Sequence, residues 1–348
     1  MYKLQNSTAL CFDDILLVPQ DSDVISRHSV NLSMSIGGEE KKIDLSLPVI
    51  AAPMDTVCGY DMCVAMAQNG GLGILHRYLP IEEQVLHVDT LNSFGYNFGV
   101  SIGATGNFIH EANELFDAGA KLFLIDIANG HSKYAINAVR DLRKEFKDEI
   151  HIMAGNVSTV EGFKALAMVG ADSIRVGIGG GSACTTRIVS GHGVPTLQSV
   201  MDIYQWKKDN TYTSIIADGG IRNSGDMVKA FAAGADAVMV GSMLAGTDES
   251  PGEITTDHNG RDVKTFRGMA SAHAQMDKFG RVSVAEGVST TVPYKGSTKH
   301  ILDQIRGGIG SGCSYSGVQR LSELAENAEY RVVSSLSINE SRPHAIHV

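Results

Sequence analysis

Eight short apolar runs, none alternating with polar residues, recur along the 348-residue chain. They are Pro48–Ala52, Leu72–Leu75, Phe98–Ile102, Leu122–Asp126, His151–Ala154, Ser173–Val176, Ser214–Ala217 and Ala237–Val240. A strand that is apolar on both faces must be covered on both, as in a parallel sheet flanked by helices. Helix-like segments separate the runs, so the pattern predicts alternating strands and helices. A near-repeat marks the handovers: Ala118–Lys121, Val169–Asp172 and Ala233–Asp236 each carry Gly-Ala just before a strand. Such a glycine reads as the residue that ends a helix. Short connections of this kind suit either a doubly wound sheet or a barrel. The strand count favours the (β/α)8 TIM barrel, an α/β fold.

Composition bounds what such a barrel can serve. A chain of this length suits one large barrel domain. Lys and Arg number 29 against 39 for Asp and Glu, a net charge of −10. That balance argues against nucleic acid or an anionic membrane as the main partner. A phosphorylated small molecule stays open, because backbone amides can hold a phosphate locally. No apolar run approaches the ~18 residues that span a bilayer, and Met1–Leu10 lacks a basic-then-apolar signal pattern. The expected location is therefore the cytoplasm. Five cysteines without a CxxC pair point to free thiols rather than zinc or disulfides. His76 and His131, near strand ends, read as hydrogen-bonded structural residues, and no histidine spacing suggests a metal.

Barrel enzymes carry their chemistry on the loops that follow the strands. Most glycine-rich or polar motifs fall there, and Gly177–Arg187 is the sharpest. Its glycines let backbone N–H groups approach a phosphate, Ser182 adds a donor, and Cys184 follows at once. One loop can thus anchor a phosphate and aim a thiolate at the attached base. The competing reading is a flexible turn beside a packed cysteine. Asp218-Gly-Gly and Gly241-Ser, after the seventh and eighth strands, fall at the usual barrel phosphate site. Asp218 suits a ribose diol, a carboxylate being able to accept from both hydroxyls, although capping of the next helix would also explain it. No GxGxxG follows a strand, so a nicotinamide would lie in a groove at the barrel top. Two stretches fall outside the repeat: residues 246–294, read as a mobile flap or lid, and residues 331–348, a polar tail expected to pack on a neighbouring subunit or fray.

Leu10–Pro19, Ala51–Val57, Ala154–Val157, the Cys184 loop, Ala217–Ile221 and Arg267–Met269 together resemble the IMP dehydrogenase and GMP reductase family over essentially the whole chain. The resemblance implies a purine nucleoside monophosphate as ligand, with Cys184 adding to purine C2 and Thr186 assisting. It implies phosphate contacts at Ser182, Gly220, Gly241 and Ser242, and ribose at Asp218. The base is held by backbone at Arg267, Gly268 and Met269, and Glu286 belongs to the proton relay. Asp126, Thr105 and Asn129 fall to the cofactor, NADPH or alternatively NADH or NAD. A monovalent cation, K+, is an option at Gly177, Gly179 and Cys184, and Glu340 and Ser341 are an open question as its ligands. Family barrels assemble as homotetramers.

The family's two branches differ in how the covalent intermediate is resolved. Dehydrogenases hydrolyse it with an Arg-Tyr pair on the flap, whereas here Arg281 precedes Val282. Phe266 stands where dehydrogenases place a phosphate-binding tyrosine, and no regulatory pair interrupts the chain near Glu82. Asn129 also leans to the reductase. Phe12–Pro19, Pro53, Arg267 and the segment from Glu340 to His344 lean to the dehydrogenase. Gly180 replaces the family's usual proline, which loosens the phosphate loop. The expectation is an NADPH-dependent GMP reductase yielding IMP and ammonia. The alternatives are an IMP dehydrogenase with a divergent flap, or a nucleotide-binding protein without turnover, against which Cys184, Thr186 and Glu286 speak.

Overall fold

The computed structural model describes residues 8–38 and 41–341. Eight parallel strands close into a barrel: β1 (Val49–Ala51), β2 (Leu72–Leu75), β3 (Phe98–Ile102), β4 (Leu122–Asp126), β5 (His151–Val157), β6 (Ser173–Val176), β7 (Ser214–Asp218) and β8 (Ala237–Val240). Each pairs with its sequence neighbours, and β8 closes on β1 through the Val238–Val49 register. All eight predicted runs are strands of this barrel. The largest difference in bounds is at β5, which continues to Val157 past an irregularity in its pairing with β6.

The outer ring begins with α1 (Tyr60–Gln68), α2 (Ile81–Ser93), α3 (Phe108–Asp117), α4 (Lys133–Phe146), α5 (Val160–Ala167), α6 (Thr196–Lys207) and α7 (Ser224–Ala232). Caps start several of these helices: the Ser132, Thr159 and Asn223 side chains accept from the Ala135, Gly162 and Asp226 amides. The glycines of the near-repeat, Gly119, Gly170 and Gly234, all have φ between +102° and +114°. A left-handed residue there lets the chain turn from helix to strand in four or five residues.

Two apolar layers result. Inside the barrel, Ile50, Leu72, Ile74, Leu122, Leu124, Met153, Ile216 and Met239 form a packed plug. Ile36 and Leu45 join it from a hairpin, Met34–Ile36 with Ile43–Leu45. Three-residue strands at that point carry no readable period, and the sequence reading missed them. Outside, the opposite faces of the same strands pack on the helices, which is why the runs are apolar without alternation.

The segment after β8 is built rather than irregular. It holds β9 (Thr255–Thr256), β10 (Asp262–Arg267), α8 (Ala272–Phe279) and β11 (Ser289–Pro293), with β10 antiparallel to both strands. Helix α9 (Thr298–Tyr315) then completes the ring. At the start of the tail, Tyr330–Val332 pairs antiparallel with Ile15–Leu17 of the same chain, so backbone groups there find partners within the chain. Pro343 and His344 lie outside the described residues. No helix of the described residues is long and apolar enough to cross a membrane.

Candidate active site

Backbone contact between loops far apart in sequence builds the site. After β6 the chain runs through Gly177 and the glycine run, and after β7 through Gly219 and Gly220, both left-handed. A Cβ at Gly177 would come within 1.9 Å of the Asp218 carbonyl oxygen, so only glycine lets these two loops approach. The return strand of the flap docks on the same cysteine loop. Thr185 N–H donates to the Glu286 carbonyl over 3.1 Å, and Val288 N–H donates to the Ala183 carbonyl over 2.9 Å. Those two bonds carry Glu286 across one hundred residues of sequence to Thr186.

The side chains then form a chain of donors. Cys184 Sγ donates to Thr186 Oγ1 at 3.2 Å, and Thr186 Oγ1 donates to Glu286 Oε2 at 2.8 Å. A thiol, a hydroxyl and a carboxylate in series can move a proton away from the sulfur or deliver one to a leaving group beside it. They open onto a cavity of about 500 Å³. Ser182, Gly220, Gly241, Ser242, Gly268 and Met269 line it, together with Asp126 and Asp218.

Between the two carboxylates lies Arg175, buried near the end of β6. Its guanidinium donates to Asp126 at 2.7 Å and lies 3.7 Å from Asp218. Burial alone would push the Asp126 carboxyl up, but the guanidiniums of Arg175 and Arg77 outweigh it, holding the group below its ordinary value. Asp218 has the opposite balance. Burial pushes its carboxyl up, and Arg175 together with a 2.8 Å hydrogen bond from Asn156 offsets that only in part. A ribose diol donating to Asp218 would favour the charged form again. Arg175 and Asn156 escaped the sequence reading. Arg175 sits inside an apolar strand run, where its neighbours gave no polar signal.

Some expected residues lie elsewhere. Arg267 does not line the cavity: its guanidinium bonds Asp55 at 2.6 Å and Asp277 at 2.6 Å, tying the flap to the β1 loop. Thr105 and Asn129 are exposed on loops after β3 and β4, outside the cavity, and Asn129 Oδ1 accepts from the His131 amide. Gly177 and Gly179 lie outside the lining, and the Gly177 carbonyl accepts from Asn156 at 2.8 Å. His76 is buried, and its Nδ1 accepts from the Tyr78 amide.

Residues 9–344 match the IMP dehydrogenase / GMP reductase domain. The chain belongs to the IMP dehydrogenase / GMP reductase family. Members of this family are purine nucleotide oxidoreductases that use NAD(P)(H). Among its relatives, inosine-5′-monophosphate dehydrogenase of Nitrosopumilus maritimus is 33% identical, with 97% of this chain and 98% of that protein covered. A GMP reductase of Leishmania major is 32% identical, with 97% of each covered. The first alignment runs over 473 positions, more than the 348 of this chain, so that relative carries additional residues. A crystal structure of a cysteine-to-alanine GMP reductase from Trypanosoma brucei, in complex with guanosine 5′-monophosphate, superposes with a TM-score of 0.91. It is 29% identical, and 98% of each chain is covered.

The family's nicotinamide cofactor finds compatible groups in this chain. Arg175 Nε is buried without a hydrogen-bond partner among the described residues, beside the Asp126 carboxylate, and Arg175 lines the same cavity as Cys184. An unpaired donor next to an acceptor suits a carboxamide, which offers both. Asp126 and Arg175 would hold that end of the cofactor, and the bound cofactor supplies or accepts hydride.

Proposed function

We propose that the chain is a GMP reductase that converts GMP and NADPH into IMP, ammonia and NADP through a covalent bond between Cys184 and purine C2. Phosphate falls to Ser182, Gly220, Gly241 and Ser242, ribose to Asp218, and the base to the turn at Gly268 and Met269. Glu286, through Thr186, takes the thiol proton as sulfur attacks C2 and returns a proton to the departing amine. Hydride at C2 then releases the thiolate. The alternation of these two roles needs one carboxylate and one hydroxyl within reach of the sulfur, and the distances of 3.2 and 2.8 Å support that.

The choice of branch rests on the flap. A dehydrogenase must make a water nucleophilic against the covalent intermediate, and general-base help of that kind is worth roughly 100- to 10,000-fold. From the segment 278–286, Val284 and Glu286 line the cavity, whereas Arg281 and Val282 are exposed away from it. No tyrosine adjoins Arg281. The decisive assay offers the purified protein GMP with NADPH, then IMP with NAD. The first pair turns over repeatedly; the second gives hydride transfer but little xanthosine monophosphate. Arg281→Ala changes the reductase rate only modestly. The relatives named IMP dehydrogenase favour a second reading, and it prevails if xanthosine monophosphate forms over many turnovers and its formation collapses in Arg281→Ala.

A further inference from the structure

We propose that Tyr78 is a positioning residue for base recognition, acting through the Met269–Ala270 peptide; this rests on the reading of the cavity as a purine nucleotide site. The Tyr78 hydroxyl donates to the Met269 carbonyl over 2.9 Å. Tyr78 stands on the loop after β2 and is not part of the cavity wall, whereas Met269 and Ala270 are. Their shared peptide is trans, so its C=O and N–H point in opposite directions. Holding the carbonyl outward on Tyr78 therefore turns the Ala270 N–H toward the cavity. Neither the Met269 nor the Ala270 N–H has a hydrogen-bond partner among the described residues. Two adjacent open donors on a cavity wall suit a carbonyl oxygen of the ligand. On a purine that oxygen is the 6-oxo group, present in guanine and hypoxanthine and absent from 2-aminopurine.

The surroundings fix the tyrosine in that pose. Its ring meets Phe279 of α8 edge-on, with centroids 6.0 Å apart at 75°. The Lys278 ammonium lies 5.7 Å from the ring and donates to the Arg77 carbonyl. The turn is held on another side too, where the Asp55 amide donates to Met269 Sδ at 3.3 Å. Among the described residues the phenol is thus the one side-chain hydroxyl that bonds this peptide, while its ring joins α8 to the barrel.

The test is calorimetric binding of GMP and of 2-aminopurine ribonucleoside 5′-monophosphate to the wild type and to Tyr78→Phe. The wild type should prefer GMP. Tyr78→Phe should bind GMP about fivefold more weakly, a loss of about 1 kcal/mol, and the 2-aminopurine nucleotide with unchanged affinity. Its KM for GMP should rise by the same factor with kcat little altered, and its thermal midpoint should stay within a degree or two. Equal weakening toward both nucleotides would make Tyr78 a packing residue and overturn the proposal. So would an unchanged preference in Tyr78→Phe, or a wild type that binds both equally. A wild type that binds neither nucleotide overturns the purine reading of the cavity, and this inference with it.

Discussion

At Cys184 the relevant question is what the sulfur needs from its neighbours. On the proposed reading the phosphate cradle would be Ser182 and backbone, and the thiol would contribute a covalent bond rather than binding energy. Cys184→Ala should therefore abolish turnover and leave GMP binding within a few-fold, measured by calorimetry. Parallel loss of binding, with the fold intact by circular dichroism, would make the residue structural instead. On the same proposal Glu286 should serve the two half-reactions unequally. Loss of its carboxylate charge in Glu286→Gln removes the acceptor at the end of the thiol–hydroxyl–carboxylate series. Ammonia release needs a delivered proton, whereas hydride exchange between cofactor and IMP needs less help. Glu286→Gln should slow the first by roughly 100-fold more than the second. Equal losses in the two half-reactions, measured separately, would end this assignment.

Among the elements, the helix-ending glycines offer the cleanest comparison. Gly170 and Gly234 share a φ of +102°, so alanine at either is strained by roughly 1–3 kcal/mol. Their surroundings differ. A Cβ at Gly234 would lie 2.1 Å from the Tyr204 ring root on α6, whereas one at Gly170 would lie 3.1 Å from the Arg143 side chain, which is held by Gly170 and Asp172. The first overlap cannot be relieved without moving the Tyr204 ring, whereas the second asks its neighbour to give by only a few tenths of an ångström. Gly234→Ala should thus lower the urea midpoint clearly more than Gly170→Ala. The same order in thermal scans would support it, and equal losses would mean that φ strain alone decides. Such glycines were readable because their role is local: the turn they make depends on the residue itself. The flap was less readable. Its strands β9 to β11 form a sheet of their own; β9 and β11 lie largely exposed, and β10 buries Val263, Lys264 and Phe266 without regular alternation, so no apolar period marked them.

For the whole molecule, buried histidines set the response to acid. Burial, only partly offset by the nearby Asp55, pushes the His76 imidazole down to about 4, and burial also lowers that of His151. The unfolded chain takes up these protons below about 6.5, while the folded state refuses them. The unfolded state thus binds more protons in this window, and stability falls as pH drops from about 6.5 to about 4. For His76 the loss is roughly 3 kcal/mol at most. His76→Asn keeps an acceptor for the Tyr78 amide and removes the titration. Its urea midpoint should fall less steeply across that window than that of the wild type. Identical slopes would show that His76 charges in the folded state or that other groups dominate.

The barrel and the cysteine loop were written in the sequence because each rests on short-range rules. Unalternated apolar runs demand cover on both faces, Gly-Ala pairs end helices, and a glycine run beside Ser182 and Cys184 needs no distant partner to be recognised. The resemblance to a family extended this to Thr186 and Glu286. What the chain could not disclose is who meets whom across the barrel mouth. Glu286 reaches Thr186 only because the flap return strand bonds to the cysteine loop. Arg267 turns to Asp55 and Asp277 instead of the cavity, and Arg175 becomes the cation between two carboxylates. Tyr78 gains its role from Met269, which lies 191 residues away. Each of these pairings depends on closure of the ring of strands, which brings loops of unrelated sequence to one end. Periodicity and propensity report what each segment does alone, and only the closed barrel fixes the distances between them.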